Sequence, residues 1–493
     1  MSMGCQNGMQ DSMWIAYNEI QRGPGHRFYE KLNELLREAK FDRKVEELCE
    51  PYFEPDHTPG RRSIPPGVYF RMHLIGYFEG IESERGIEWR CADSMSLRAF
   101  LGLNLTERVP DHSTLSRMRQ RLPLEVHQQA FVLILEIVKQ KGLLRGRVHG
   151  IDSTFLRADA SMKAIVRRDT KENYPQFIKR LAAESGVENP TEEDARRIDR
   201  KRKHKRSSNK EWESLTDADA RIAKLKDGRT RLAYKPEHVV DLETGALVGV
   251  SVHSADCADT ATIEETLEVA EENLQRVHDA NDSEDEDDDR DDNGGSSGGS
   301  ASNGGATGKK RSVVADKGYN KAVLLRRLKE AGYRSYIPER RQKGRRRWTD
   351  KGGQPTAAAF HQNRARVKRR TGKALQRKRG ELLERTFAHI CETGGARRTR
   401  LRGRENVTKR YLIQAAAANL GLVMRNLIGW GTPRGLAASA SHHLGMGWRH
   451  IVHRETLRSV GWWLNFLSMA ALAPTGATWP SQGHYTCVRS TGC

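Results

Sequence analysis

Asp152 and Asp316 stand where carboxylates are costly. VHGIDSTFL from Val148 reads as a short β-strand flanked by turn-forming residues, with Asp152 inside its apolar run; RSVVADKGY from Arg311 reads as another, ending in Asp316. An acid so placed loses hydration unless it is paired or bound to a cation. Either aspartate alone could equally be a cap or turn acid. A third acid changes the chemistry available. Magnesium takes oxygen ligands, uses one or two protein carboxylates and keeps several waters, so three acids from separate elements can hold two ions and leave room for a substrate. Two ions supply what phosphodiester cleavage requires, an activated oxygen nucleophile and neutralised charge on the phosphorus oxygens. Glu384 is the candidate. It adjoins the apolar face Leu383, Phe387 and Ile390 of a helix in RARVKRRTGKALQRKRGELLERTFAHI from Arg364, and Glu381, one turn earlier, competes for the role.

The elements that must position these acids follow from periodicity. Residues 26 to 145 read as helices with polar faces, in FYEKLNELLREAK, GVYFRMHLIGYFEGI and HQQAFVLILEIVKQK. Within them IEWRCADSMSLRAFLGLNLTERVPDHSTLSRMRQRL suggests three short helices in a helix-turn-helix-like arrangement, the last opening after Pro110 with Asp111 as N-cap. On that helix Arg117 and Arg121 fall one turn apart, with Arg119 displaced; their face suits phosphates or a groove, and suits equally an ordinary amphipathic helix.

A second domain begins near Val148. Residues 157 to 228 are a polar, basic insertion, and RLAYKPEHVVDLETGALVGVSVHSA gives two strands joined at Glu243, Thr244 and Gly245. TATIEETLEVAEENLQRV is a helix by period. Residues 279 to 310, with few apolar groups and many acids, glycines and serines, read as a disordered loop, without the spaced ligands of an EF-hand. The strand ending at Asp316, the helix NKAVLLRRLKEAG and the strand YRSYIPE complete an alternating pattern, which predicts an α/β domain with a mixed sheet flanked by helices. ENVTKRYLIQAAAANLGLVMRN is a last helix that buries Leu412, Ala416, Leu420 and Val423 against the sheet. The expected division is 1–145 helical and DNA-binding, 146–426 catalytic, and 427–493 a tail of uncertain structure that matches no pattern.

Charge narrows the partner. Among 493 residues, 84 Lys and Arg stand against 64 Asp and Glu, a net +20 that favours a polyanion such as nucleic acid over a membrane surface. The run Arg397, Arg398, Arg400, Arg402 and Arg404 follows the glutamate helix, where donors could grip a DNA backbone, with a solvated face as the bland alternative. Seven scattered cysteines form no zinc or disulfide pattern and fit a reducing cytoplasm. No signal peptide or bilayer-length apolar run is read; WWLNFLSMAALA from Trp462 is short and interrupted.

The segments HGIDSTFL, LKDGRTRLAYKPEHVVDLETGALVGV, VVADKGY and ELLERTFAHICETGGARRTRLRGRENVTKRYLIQAAAANLGLVMR resemble insertion-sequence DDE transposases, over about residues 26 to 426. The resemblance implies a ribonuclease H-like core preceded by the all-α N-terminal domain. It implies Asp152 on the first core strand, Asp316 at the end of the fourth before a glycine and tyrosine, and Glu384, in ERTFAH, opening a helix motif, with all three catalytic and metal-binding. Many relatives set a tyrosine, an arginine and a lysine around that glutamate; here Gly380 and Cys391 occupy two of those places, leaving Arg377 and Arg385 as substitute phosphate contacts.

The implied cofactor is a pair of Mg2+ ions, with Mn2+ as a substitute. The implied partners are the element's terminal inverted repeats and target DNA, bound by a homodimer associated with the cytoplasmic nucleoid. A two-metal nuclease without strand transfer, and a decayed, inactive DNA-binding relative, stay open as alternatives.

Overall fold

A computed structural model describes residues 26–53, 63–104, 106–187, 189–201, 208–225, 227–287, 311–340, 348 and 353–437. Residues up to Leu436 form one compact unit and the tail a second, which lies almost wholly outside the described residues.

The helical half behaves as its periodicity demands. Seven helices run α1 (His26–Glu38), α2 (Phe41–Cys49), α3 (Pro66–Glu79), α4 (Glu84–Ala92), α5 (Met95–Phe100), α6 (His112–Arg121) and α7 (Leu124–Gln140). α4, α5 and α6 are the three short helices expected. Each has a side-chain cap, Ser83, Ser94 and Asp111 accepting from Gly86, Leu97 and Thr114 amides, which satisfies donors the first turn leaves orphaned. α3 is apolar all round and almost entirely buried, as a central helix must be.

The sheet follows at Val148. Its strands are β1 (Val148–Ser153), β2 (Leu156–Arg157), β5 (Arg221–Lys224), β6 (Thr230–Asp241), β7 (Leu247–Ser254), β8 (Ser312–Ala315) and β9 (Arg334–Tyr336). Between β2 and β5 the basic insertion forms a two-stranded sheet of its own: β3 (Ile165–Arg167) pairs with β4 (Trp212–Ser214), with α8 (Tyr174–Glu184) and α9 (Glu192–Lys201) between them. Across the main sheet the order is β7-β6-β1-β8-β9. The first three are antiparallel neighbours joined in a meander, and β8 and β9 lie parallel to β1. Parallel neighbours require crossovers. These are α10 (Asp259–Asp287) before β8 and α11 (Ala322–Glu330) before β9; beyond β9 come the pair α12 (Gly353–Lys368) and α13 (Arg370–Ala388), with α14 (Arg404–Ile428) last. This is the ribonuclease H-like mixed sheet, preceded by an all-α region.

Alternation divides the sheet into two faces. Ile151, Val239, Val313 and Ala315 join Ile263, Leu267 and Leu325 of α10 and α11; Val240, Val314 and Leu242 join Leu383 of α13 and the buried side of α14. Gly249 of β7 lies so near α10 that a Cβ would stand 2.9 Å from the Ala270 Cα.

Three expectations change in detail. α10 runs to Asp287, so the acidic stretch begins helical: once a buried amphipathic stretch has nucleated the helix, propagation costs little. Residues 288–310 of the expected loop lie outside the described residues. The single helix expected around Glu384 is two, broken at Arg369, where Gly372 packs so tightly that a Cβ would fall on the Arg366 carbonyl. And helices α1 to α7 share one hydrophobic cluster with the sheet domain, because α14 packs against both α3 and α7. α14 is apolar enough and, counted to Ala437, long enough to cross a membrane, yet 61% of its apolar window is buried in the protein. Leu412, Ala416, Leu420 and Val423 are all among its buried residues, and Asn419 pairs both its amide groups with the backbone of Leu247 in β7 (2.9 and 2.8 Å).

The helical core holds a neutral histidine. His127 Nδ1 donates to the Pro123 carbonyl at 3.0 Å, its Nε2 accepts from Tyr69 at 3.0 Å, and burial pushes its pKa down to about 4. The folded state therefore holds fewer protons than the unfolded chain between about pH 6.5 and 4, and stability falls as pH drops through that window. His73 and His238, depressed by the same cause, act in the same direction. Urea denaturation at pH 7, 6 and 5 is expected to show this fall, and His127→Gln to reduce its slope by one proton, about 1.4 kcal/mol per pH unit.

Candidate functional site

The parallel register of β1 and β8 pairs Ile151 with Ala315. Asp152 and Asp316 are the next residues on each strand and so come to lie side by side where β8 ends. Both point to the α13 face, since Ile151 and Ala315 pack on the other.

α13 crosses above them. Gln376 donates to the carbonyls of Ala315 and Tyr336 (3.1 and 2.5 Å), Leu383 covers Gly150, and Phe387 stacks on His238 with ring centroids 4.1 Å apart. His238 is the cross-strand partner of Asp152 and gives its Nε2 to the Tyr411 hydroxyl at 2.9 Å. Gly150 fits only because it lacks a side chain: a Cβ would come within 2.5 Å of Leu242 and 2.9 Å of Leu383.

Arg379 descends from the same helix face and places Nη1 2.8 Å from Asp152 Oδ2. Its side chain is 13% exposed and its Nε is buried without a hydrogen-bond partner. Burial raises the Asp152 pKa and the neighbouring Asp316 charge raises it further, while Arg379 and the Ser153 amide pull it back.

Beneath Asp316 the turn is bolted to the sheet. Tyr319 donates to Glu237 at 2.5 Å, and this carboxylate, wholly buried on β6, also accepts from Thr262 and Thr266 (3.1 and 2.5 Å). Gly318 faces Asp259 so closely that a Cβ would lie 2.7 Å from Oδ2, and Asp259 is in turn paired with buried Lys235 at 2.7 Å.

Glu384 does not join the two aspartates. It is exposed on α13, one position past Leu383, with the turn below it occupied by Gly380, whose Cβ would meet nothing within 4 Å. Glu381 is exposed as well and paired with Arg385 at 2.7 Å. Among the described residues no group of three or more His, Cys, Asp or Glu is gathered closely enough to hold a metal. The aspartate pair is nonetheless suited to a cation: two carboxylates side by side, one of them largely desolvated, offer the hard oxygen donors that a divalent ion takes.

The basic residues are dispersed. Arg117 and Arg121 are exposed on α6, Arg121 lying over the Phe53 ring, whereas Arg119 is buried against Glu84. Arg377 is exposed on α13. Of the run after α13, Arg397 pairs with Glu392, Arg398 with Asp159 at 2.8 Å, Arg402 with Asp159 at 3.5 Å and Arg400 with Glu82 at 3.4 Å. Arg379 and Glu237 were not singled out in the sequence, although the helical phase of Gln376, Leu383 and Phe387 puts Arg379 on the sheet face.

A mixed sheet of this order, flanked by helices and preceded by an all-α region, is a ribonuclease H-like core. Two family models match the chain: Transposase domain (DUF772) over residues 17–121, and Transposase DDE domain over residues 199–420. The chain belongs to the DDE transposases of insertion sequences. Membership carries DNA binding and DNA-moving activity in general terms; the second match includes Asp316 and Glu384 and begins beyond Asp152. No curated protein and no solved structure matched it.

Removing Arg379 leaves Asp152 beside Asp316 without its counter-ion. Arg379→Gln is expected to cost about 1–3 kcal/mol, the penalty for orphaning a partly buried charge, read as a lower urea midpoint with an unchanged slope.

Proposed function

We propose that this chain cuts and rejoins DNA at the ends of its own insertion sequence, with Asp152, Asp316 and Glu384 as its catalytic acids. The observation that carries this is the β1–β8 register, which sets two carboxylates side by side at the strand ends in a chain of this family. Asp152 and Asp316 would hold magnesium, or manganese in its place, and Glu384, outside the pair in this structure, would complete the set only once α13 turns toward them. Two such ions held there would supply Lewis-acid activation of the attacking oxygen, of water or a terminal 3′-hydroxyl, and charge stabilisation of the leaving one.

The remaining work belongs to the chain. Gln376 fixes α13 over the ends of β8 and β9, and Leu383 and Phe387 hold its next turns against β1 and β6, so that Glu384 rides on a helix whose height above the sheet is set by packing. Tyr319 and Glu237 fix the turn that carries Asp316. Arg379 keeps Asp152 in place when no cation is near it. Arg117 and Arg121 on α6, Arg377 and Arg385 on α13, and Arg397, Arg398, Arg400 and Arg402 after it supply phosphate contacts. Terminal repeats are read by the helical region. Two ends joined to one target imply a homodimer on DNA.

The test is magnesium-dependent cleavage and strand transfer on a labelled duplex carrying the element's own end. Asp152→Ala, Asp316→Ala and Glu384→Ala are expected to bind the duplex yet lose cleavage by at least about a thousandfold, while Glu381→Ala cuts like wild type. Loss of cleavage in Glu381→Ala with retention in Glu384→Ala would move the third acid one turn. Cleavage without joining would leave a nuclease, and a wild-type protein that binds but never cuts would leave a DNA-binding relative only.

A further inference from the structure

The helical region and the arginine run meet at a cleft of about 240 Å3. Arg85 of α4 and His112 at the start of α6 face it from one side; Arg398 and Arg400 face it from the other, with Leu156 of β2 and Tyr411 of α14 on the floor.

Its charge is set by how the acids are used. Glu84 lines the cleft but is neutralised by Arg119, and Glu82 is held only at 3.4 Å by Arg400. Against them stand Arg85, Arg398 and Arg400, with Arg410 already committed to His73 and the Ile81 carbonyl. Arg85 is oriented by a relay: Glu88 takes the Nδ1 proton of His112 at 2.8 Å, which leaves Nε2 to accept from Arg85 Nε at 3.2 Å, so the far end of the guanidinium stays free of that contact. Arg398 spends one nitrogen on Asp159, and its Nε is buried with no hydrogen-bond partner. Donors outnumber acceptors here, and an anion is what would satisfy them.

Size and position select the anion. The volume is below the roughly 300–1,000 Å3 of a drug-sized ligand pocket and far too small for a duplex, but it admits one phosphate with its sugar. Two lining residues connect the cleft to the aspartates through intermediaries: Leu156 follows Asp152 by a few residues, and Tyr411 is hydrogen-bonded to His238, the cross-strand partner of Asp152. We infer that this cleft holds the phosphodiester backbone of a single DNA strand beside the aspartate pair, gripped by Arg85 from the helical region and Arg400 from the segment before α14. The inference rests on the transposase reading above and adds to it a contact shared by both family-matched regions.

The full-length chain tests it through the salt dependence of binding, measured by fluorescence anisotropy on a labelled duplex carrying the element's own end and on an unrelated duplex of equal length. Each phosphate contact contributes about 0.7–0.9 to the slope of log affinity against log salt. Arg85→Ala and Arg400→Ala are each expected to flatten that slope by about this amount on both duplexes, leaving the preference for the own end unchanged, because a backbone contact carries no sequence information. Arg85→Lys and Arg400→Lys are expected to restore it. Arg276→Ala, on α10 and paired with Glu125 away from the cleft, is the control and keeps the wild-type slope. Unaltered slopes in both alanine variants, with melting temperatures matching wild type, overturn the cleft assignment and leave the transposase reading intact. A wild-type chain that binds neither duplex overturns both.

Discussion

Two carboxylates on adjacent parallel strands repel each other, and most of what surrounds Asp152 and Asp316 exists to hold them in that position regardless. Their register is a backbone property, set by the β1–β8 ladder. Burial weighs on Asp152 more than its neighbour does: desolvation raises its pKa first, and the Asp316 charge adds to it. Arg379 answers it on one side. On the other face of the sheet, a second layer of charge carries the Asp316 turn: Tyr319 on Glu237, and Gly318 against the Asp259–Lys235 pair. The buried Glu237 is tolerable because three hydroxyls point at it, which is the condition under which an interior carboxylate ceases to be a liability.

How much of this was readable in advance depended on whether the signal was local. β1, the β6–β7 hairpin and β8 announce themselves by short apolar runs and turn residues, and Asp111 by its place ahead of an amphipathic helix; a turn of chain contains the reason for each. The break at Arg369 does not, because it depends on Gly372 lying against the preceding turn. Arg379 was hidden for another reason: in a stretch crowded with Arg and Lys, nothing local distinguishes a cation that faces the aspartates, and only the phase of Gln376, Leu383 and Phe387 marks it. Glu384 shows the converse. Its sequence context is distinctive, yet the helix leaves it outside the pair, because the residues that pack on the sheet, not the acid, fix the rotation of α13.

The division of the chain was similarly half visible. Composition separates a helical first part from an α/β second, and both are present. What composition cannot show is that the apolar stripe of α14 is wider than the sheet needs. Its excess surface covers α3 and α7, and Lys409, itself buried, reaches back to the Arg119 carbonyl at 3.2 Å. A helix buried on most of its circumference belongs to two partners at once, and here those partners lie at opposite ends of the sequence.

That placement bears on synthesis. α14 is the last described long helix, while α3 is among the first to leave the ribosome, so the earliest-made helices wait for some 330 further residues before their apolar surface is covered. Contacts of such separation are slow to form and leave hydrophobic surface exposed meanwhile. A polypeptide interrupted before α14 would keep its aspartates and its α6 face, and still lack the wedge that closes its core.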